Sequence, residues 1–342
     1  MKKLFFTSVM LVLAIAASAK SYKIGPSSVV GMNFTSINAA MSYISAGDTL
    51  LLDKAYKETS EQTVTKAVVI IGNGFDTTTS TIAQVSTLSL KADGIHVNSL
   101  YVTNVKFYNK DCRLYRCFVG LSASWAGTSE ASGSNSIHSC YFTGTINKGS
   151  SAIAIFDIQN TILYTSTYNV IYNLINSNIS HCVIYGEYSY SNPSIYLINN
   201  VSSSSIIDNI IVNCNNYSSS YKNNTIGNYD VSSMNTIHHN VMSGFQNNTN
   251  YPLNAITNSN NLNSICKCSG TTVSGTYFDL KSGSSALNYA SDGSDCGIYG
   301  GLYPYVDYGR PIYVPYFTNI SVPAKATNGT LPISVTVEVQ NK

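Results

Sequence analysis

The chain has 342 residues, of which 11% are charged and 44% hydrophobic, whereas roughly 25% charged is usual for a soluble domain. A core can be buried at that hydrophobic content, so disorder and a charged coiled coil are both excluded. Asn, Ser and Thr supply the polarity, with 26 Tyr and 23 Gly. This mixture is rich in strand and turn formers and poor in helix formers, and the expected class is all-β.

Residues 1–19 read as a secretory signal peptide: Lys2 and Lys3, the apolar run Leu4 to Ala16, and the cleavage site Ala17-Ser18-Ala19. At about 13 residues the run is too short to span a bilayer, and no other follows it, so the mature chain is expected to have no transmembrane segment. The expected location is periplasmic, cell-surface or extracellular. Without Lys2 and Lys3 the side chains number 17 basic against 17 acidic, which gives no overall drive toward nucleic acid.

In Phe34 to Ser45, Ile37, Met41 and Ile44 fall at helical spacing, with Ser36 as N-cap and Gly47 as the stop, which predicts a capping helix. Then come Gly47-Asp48-Thr49-Leu50-Leu51-Leu52, Tyr56-Lys57-Glu58 and Val68-Val69-Ile70-Ile71-Gly72-Asn73-Gly74. This order resembles the start of right-handed parallel β-helix proteins of the pectate-lyase-like superfamily. Asp53-Lys54-Ala55 stands where many relatives have Pro-Gly.

A repeated phrase follows, in which an aliphatic residue precedes an Asn or Cys anchor and another apolar residue comes just after it. Val102-Thr103-Asn104-Val105 is the first instance, and from Cys117 onward the anchors are Cys117, Cys140, Asn160, Cys182, Asn209 and Asn240, at steps of 23, 20, 22, 27 and 31. Coils of that length built from short strands predict a parallel β-helix with Asn and Cys ladders. A Cys at an anchor is a small buried hydrophobe. Cys266-Lys267-Cys268 with Cys296 would serve a late disulfide or, less readily, a metal, but zinc wants four ligands, so no metal and no cofactor are expected. Cys112 and Cys214 have no assigned role.

Phe278-Asp279-Leu280, Gly283 to Leu287 and Asp292 to Gly301 resemble the closing coil of secreted β-helix proteins common in Bacteroidetes. The β-helix is thus expected over 20–308, and a β tail over 309–342. In that tail Ile333, Val335, Val337 and Val339 alternate after an Asn328-Gly329 turn.

The superfamily mixes lyases, hydrolases, adhesins and stalks, so function has to come from the site. Polygalacturonase-like hydrolases carry Asn-Thr-Asp, Asp-Asp, Gly-His-Gly and Arg-Ile-Lys strings, none of which occurs here. From Lys148 to Met242 the only acids are Asp157, Glu187, Asp208 and Asp230, which leaves little to bind the calcium ion or the anionic polymer of a pectate lyase. The residues just before the anchors are Arg116, Ser139, Gln159, His181, Asp208 and His239. Among them His181, Asp208 and His239 fall on successive coils and are the catalytic candidates, since a His beside a carboxylate can act as a general base. The competing reading is an outward polar ladder at a bend. His138 and His238 read as solvated. Tyr185, Tyr188, Tyr190, Tyr217 and Tyr221, in two polar insertions, are candidate carbohydrate-stacking residues. The expectation is a binding or scaffold protein on neutral polysaccharide or cell-surface glycan. A polysaccharide lyase or glycosidase is the alternative, and an adhesin or stalk comes third.

Overall fold

The computed structural model describes residues 19–76, 81–127, 133–148, 155–165, 170–186, 197–213, 226, 234–243, 253–257, 262–268, 275–310, 316–321 and 334–338. Two long parallel sheets run side by side, and the chain passes from one to the other once per coil, which is the architecture of a parallel β-helix solenoid. The first sheet has ten strands: Ser21–Ile24, Thr49–Leu52, Val69–Ile71, His96–Asn98, Arg113–Tyr115, Asn135–His138, Phe156–Gln159, Asn178–Ser180, Ser205–Ile207 and Thr236–His238. The second begins with Lys57–Val64, Gln84–Leu90, Tyr101–Phe107 and Phe118–Trp125. There it forks. Phe118 and Val119 pair with Tyr141–Phe142, while Ser122 to Ser124 pair with Thr145–Asn147. Gly144 is needed at the fork, because a Cβ there would fall 1.9 Å from the Leu121 carbonyl oxygen.

From Thr49–Leu52 onward every first-sheet strand turns an aliphatic side chain inward at one register position. Leu50, Ile70, Val97, Leu114, Ile137, Ile158, Ile179, Ile206 and Ile237 pair in one continuous register and are all buried. Each such side chain contributes about 1.5–3 kcal/mol by leaving water. Their neighbours on either side point outward and form the face that carries the site.

The corner between the sheets uses two residues per coil. The first has positive φ: Ser99, Arg116, Ser139, Asn160, His181, Asp208 and His239, at 49° to 62°. The left-handed conformation costs an ordinary residue roughly 1–2 kcal/mol and is easiest for Asn, Asp and His. The second residue is buried, and from Cys117 onward its side chain bonds to an adjacent coil. Cys182 Sγ donates to the Ile158 carbonyl (3.6 Å), Thr161 Oγ1 to Ile137 (3.3 Å), Asn209 Nδ2 to Ile179 (2.9 Å) and Asn240 Nδ2 to Ile206 (2.7 Å). The Asn members also accept from backbone N–H groups, Asn209 Oδ1 from Cys182 and Asn240 Oδ1 from Asn209. Cys, Thr and Asn therefore fill one ladder interchangeably, as the recurring anchors anticipate. One anchor is displaced: Thr161, not Asn160, stands beside Cys140 and Cys182, because Ile158 pairs with Ile137 and Ile162 with Tyr141. Likewise Asn104 lies inside a second-sheet strand opposite Ser122 rather than at the corner.

At the N-terminal end the capping helix is a single turn, Ile37–Ala40, with Ser36 Oγ accepting from the Ala39 N–H at 3.0 Å. It is shorter than the apolar spacing predicts, and the chain bends toward Asp48, whose carboxylate accepts from the Ser45 and Lys20 N–H groups, both at 2.7 Å. No helix among the described residues is long and apolar enough to cross a membrane.

The closing segment departs from expectation. Residues 275–310 contain short 3-10 turns and no parallel strand, and they form a strap that runs back along the outside of the corner. The strap touches Asp208 at Ser291, Asn160 at Gly300, Ser139 at Tyr303 and finally the Phe75 and Asp76 coil at Tyr308 and Arg310. Phe278, Ala286, Cys296, Ile298 and Tyr305 of the strap form a second apolar cluster with Phe75, Tyr141, Ile162, Val183, Ile210 and Val241 on the stack. Within the tail, Tyr316–Ser321 pairs antiparallel with Ser334–Glu338. The cysteines in the described residues are free thiols, Cys266, Cys268 and Cys296 among them.

Candidate functional site

The register brings His181, Asp208 and His239 onto successive coils of one corner, but beneath the strap. Asp208 is 1% exposed, and its oxygens accept from the Ser291 N–H (2.6 Å) and Oγ (2.7 Å). The His181 ring is also buried, with Nε2 3.4 Å from Ser294 Oγ and 3.8 Å from Asp292 Oδ2. His239 Nδ1 lies 2.8 Å from His238 Nδ1, and the His239 ring tilts against Tyr289. The carboxylate is thus committed to holding the strap, and the strap lies over the corner on which these catalytic candidates fall. Tyr185, one of the expected stacking residues, is enclosed as well. It is buried, with its ring 4.9 Å from Tyr164 and 5.7 Å from Phe278, and offers no stacking surface to a sugar. Tyr188, Tyr190, Tyr217 and Tyr221 lie outside the described residues.

A different group converges on the outer face of the first sheet, where His138 and Ser180 are themselves buried and the neighbouring side chains partly exposed. Register places Val69, His96, Arg113, Ser136, Asp157 and Asn178 in one outward column. Asn98, Tyr115, His138, Gln159 and Ser180 form the next. Over the second column hangs Tyr303 of the strap, stacked on the His138 ring (centroids 4.2 Å apart, planes at 20°) and edge-on to Tyr115 at 6.4 Å. Val69, His96, Asn98, Arg113, Tyr115, His138 and Tyr303 line a groove of about 290 Å³. Arg116 lies over the ring of Tyr115 at 4.4 Å, which fixes that wall.

At the edge of the groove, His138 Nε2 is 2.9 Å from Asp157 Oδ2, and Asp157 also accepts from Gln159 Nε2 (2.8 and 3.0 Å) and Asn178 Nδ2 (2.8 Å). Burial pushes the Asp157 carboxyl up, but hydrogen bonds from His138, Gln159 and Asn178 outweigh it and hold the group below the usual carboxylate range. A carboxylate only accepts, so the His138 Nε2–H is the donor of this bond and Nδ1 is left outside the pair. Burial, and then the Arg113 guanidinium, lower the basicity of His96.

Chemically the groove offers two aromatic walls, one exposed guanidinium, two imidazoles and a carboxamide. That set suits ring stacking and hydroxyl recognition. A second hollow of about 480 Å³ beside the N-terminal turn, lined by Val29, Val30, Met32 and Phe34 among others, has no titratable lining residue. Among the described residues no cluster of three or more His, Cys, Asp or Glu is arranged to hold a metal ion.

Sequence reasoning missed His138, Asp157 and Tyr303. With Asn160 taken as the anchor, Asp157 falls opposite Ile137 and so into the core; with Thr161 it falls opposite Ser136, outside and within reach of His138. Tyr303 stood out only as one of many tyrosines in the closing segment, since its partners are 143 to 188 residues away. No protein-family model, curated protein or solved structure matches this chain.

Proposed function

We propose that the chain is an exported or cell-surface parallel β-helix protein, of the pectate-lyase-like kind its N-terminal motifs resemble, that binds neutral carbohydrate in the groove on its first sheet. The observation carrying this reading is the groove itself: Tyr115 and Tyr303 wall it, and Asn98, His96, His138 and Arg113 present hydrogen-bonding groups between them. Aromatic walls with few, fixed polar groups are what sugar rings, with their apolar faces and equatorial hydroxyls, require. The carboxylate nearest the groove, Asp157, is already committed to His138, Gln159 and Asn178.

A second reading has one specific observation in its favour. The His138–Asp157 pair is an oriented imidazole at the edge of a groove, the arrangement of a general base, and it supports a glycosidase or polysaccharide lyase. One experiment separates the two. Neutral β-linked hexasaccharides of glucose, xylose and N-acetylglucosamine are titrated calorimetrically against the mature protein, and the same mixtures are then assayed for new reducing ends and unsaturated products. Binding without products, weakened by Tyr115→Ala, supports the scaffold. Products abolished by His138→Ala transfer the site to the enzymatic reading, and binding to none of the sugars overturns the leading one.

A further inference from the structure

One wall of the groove does not belong to the solenoid. Tyr303 comes from the strap, and Asn160 takes up the strap's backbone just before it. Asn160 is fully buried, its Nδ2 donates to the carbonyls of Ile298 (3.1 Å) and Gly300 (2.5 Å), and its Oδ1 accepts from the Tyr303 N–H (3.3 Å). One coil away, Ser139 Oγ donates to the Tyr303 carbonyl at 2.5 Å. Next to them the strap lies directly on the His181 ring. A Cβ at Gly301, which has φ of +67°, would come within 2.9 Å of His181 Nδ1. Only glycine permits that approach.

The placement follows from the coil geometry. Asn160 and Ser139 are the left-handed corner residues, and His138 immediately precedes Ser139 on the first sheet. A strap held at the corner therefore projects its next side chain over the edge onto the open face, where Tyr303 stacks on His138. Among the described residues no disulfide ties the strap to the stack, so its seat is made of reversible contacts.

We infer that Asn160 is a positioning residue for the groove: by clamping residues 298–303 it presents Tyr303 to the ligand, so that binding on the sheet face depends on strap seating at the corner. This rests on the proposed binding function for its ligand, but not for its structural half.

The test compares the mature protein with Asn160→Asp, Ser139→Ala and Tyr303→Ala. Asn160→Asp keeps the acceptor for Tyr303 N–H and the tolerance of positive φ, but turns both donors into acceptors facing carbonyls. In wild type the His138 ring protons are expected upfield, shielded by Tyr303. Tyr303→Ala and Asn160→Asp are expected to remove that shift alike, and Ser139→Ala part of it, with far-UV circular dichroism unchanged. For whichever of the three hexasaccharides binds wild type, Asn160→Asp and Tyr303→Ala should each weaken binding about tenfold, equivalent to roughly 1.4 kcal/mol. The double variant should be no weaker than Tyr303→Ala alone. An unmoved His138 resonance in Asn160→Asp overturns the inference, as does an additive double variant. If Asn160→Asp fails to fold, Ser139→Ala carries both readouts and the same outcomes decide. If no sugar binds, the binding reading fails while the His138 shift still decides whether Asn160 positions Tyr303.

Discussion

The corner and the open face of the first sheet are built from the same residue types and put them to opposite uses. At the corner, Asp208 and His181 sit beneath the strap and spend their polar atoms on it. On the face, Asp157 and His138 bond to one another across adjacent strands and border a groove. The sequence distance is small, since His138 and Ser139 are neighbours, yet one faces the groove and the other holds the strap. A polar side chain in this solenoid is thus assigned its role by its place on the left-handed corner or on the strand and by the part of the strap that lies over it.

The contrast can be broken most forcefully at the corner. Asp208→Ala would leave the Ser291 N–H and hydroxyl without their acceptor in a buried place, and is expected to cost about 3 kcal/mol in urea unfolding. Asp157→Ala, on the half-open face, should cost less than half of that, and equal costs would erase the distinction. Next in size, Tyr115→Ala should weaken sugar binding by about tenfold while moving stability less than Asp208→Ala does. The opposite ordering, stability lost and binding intact, would make Tyr115 a packing residue.

Acid sharpens the comparison further. The Asp157 carboxyl titrates below its unfolded value, so its stabilising contribution is complete above about pH 4 and disappears as pH falls through the folded value. His96 also titrates below its unfolded value, but as a base. The unfolded state then binds more protons, and stability declines as pH falls below about 6.5. Asp157→Asn should shrink the lower step of a stability–pH curve, to which Asp48, Glu61 and Asp292 also contribute, and His96→Gln the upper one, which His238 shares. Either substitution leaving its step undiminished would contradict the assignment. The smallest expected effect is at the ladder. Thr161→Val should cost about 1–2 kcal/mol through the lost bonds to Ile137 and Gln159 and the lost acceptor of the Cys140 N–H, against under about 0.5 kcal/mol for Ser136→Ala on the outer face.

How far the sequence could be read follows the same division. Inward aliphatic columns and anchor ladders recur at every coil, so period alone reveals them, and the all-β solenoid was legible from Ile137, Ile179, Ile206 and Ile237 together with Cys140, Cys182 and Asn209. The corner column was legible too from Cys117 onward, apart from one coil. There Asn160 resembles an anchor by type, but Thr161 is the anchor by register, and because strand side chains alternate with period two, that slip sent Asp157 to the wrong face. The covering of His181 and Asp208 was not legible, because it depends on contacts made by a strap 83 to 113 residues further on. A repeat fixes what each coil shares; it is silent about a non-repeating segment laid across the coils.

The five histidines, His96, His138, His181, His238 and His239, sample the face, the corner and the junction between them, which makes one measurement decisive for the claim that the groove is the functional surface. Their imidazole nitrogen resonances, assigned by substitution, can be followed while neutral hexasaccharide is titrated into the mature protein. The groove account predicts that His96 and His138 move together with a single dissociation constant while His181 and His239 stay fixed. Shifts at His181 and His239 with His96 and His138 unmoved would contradict it and return the site to the corner.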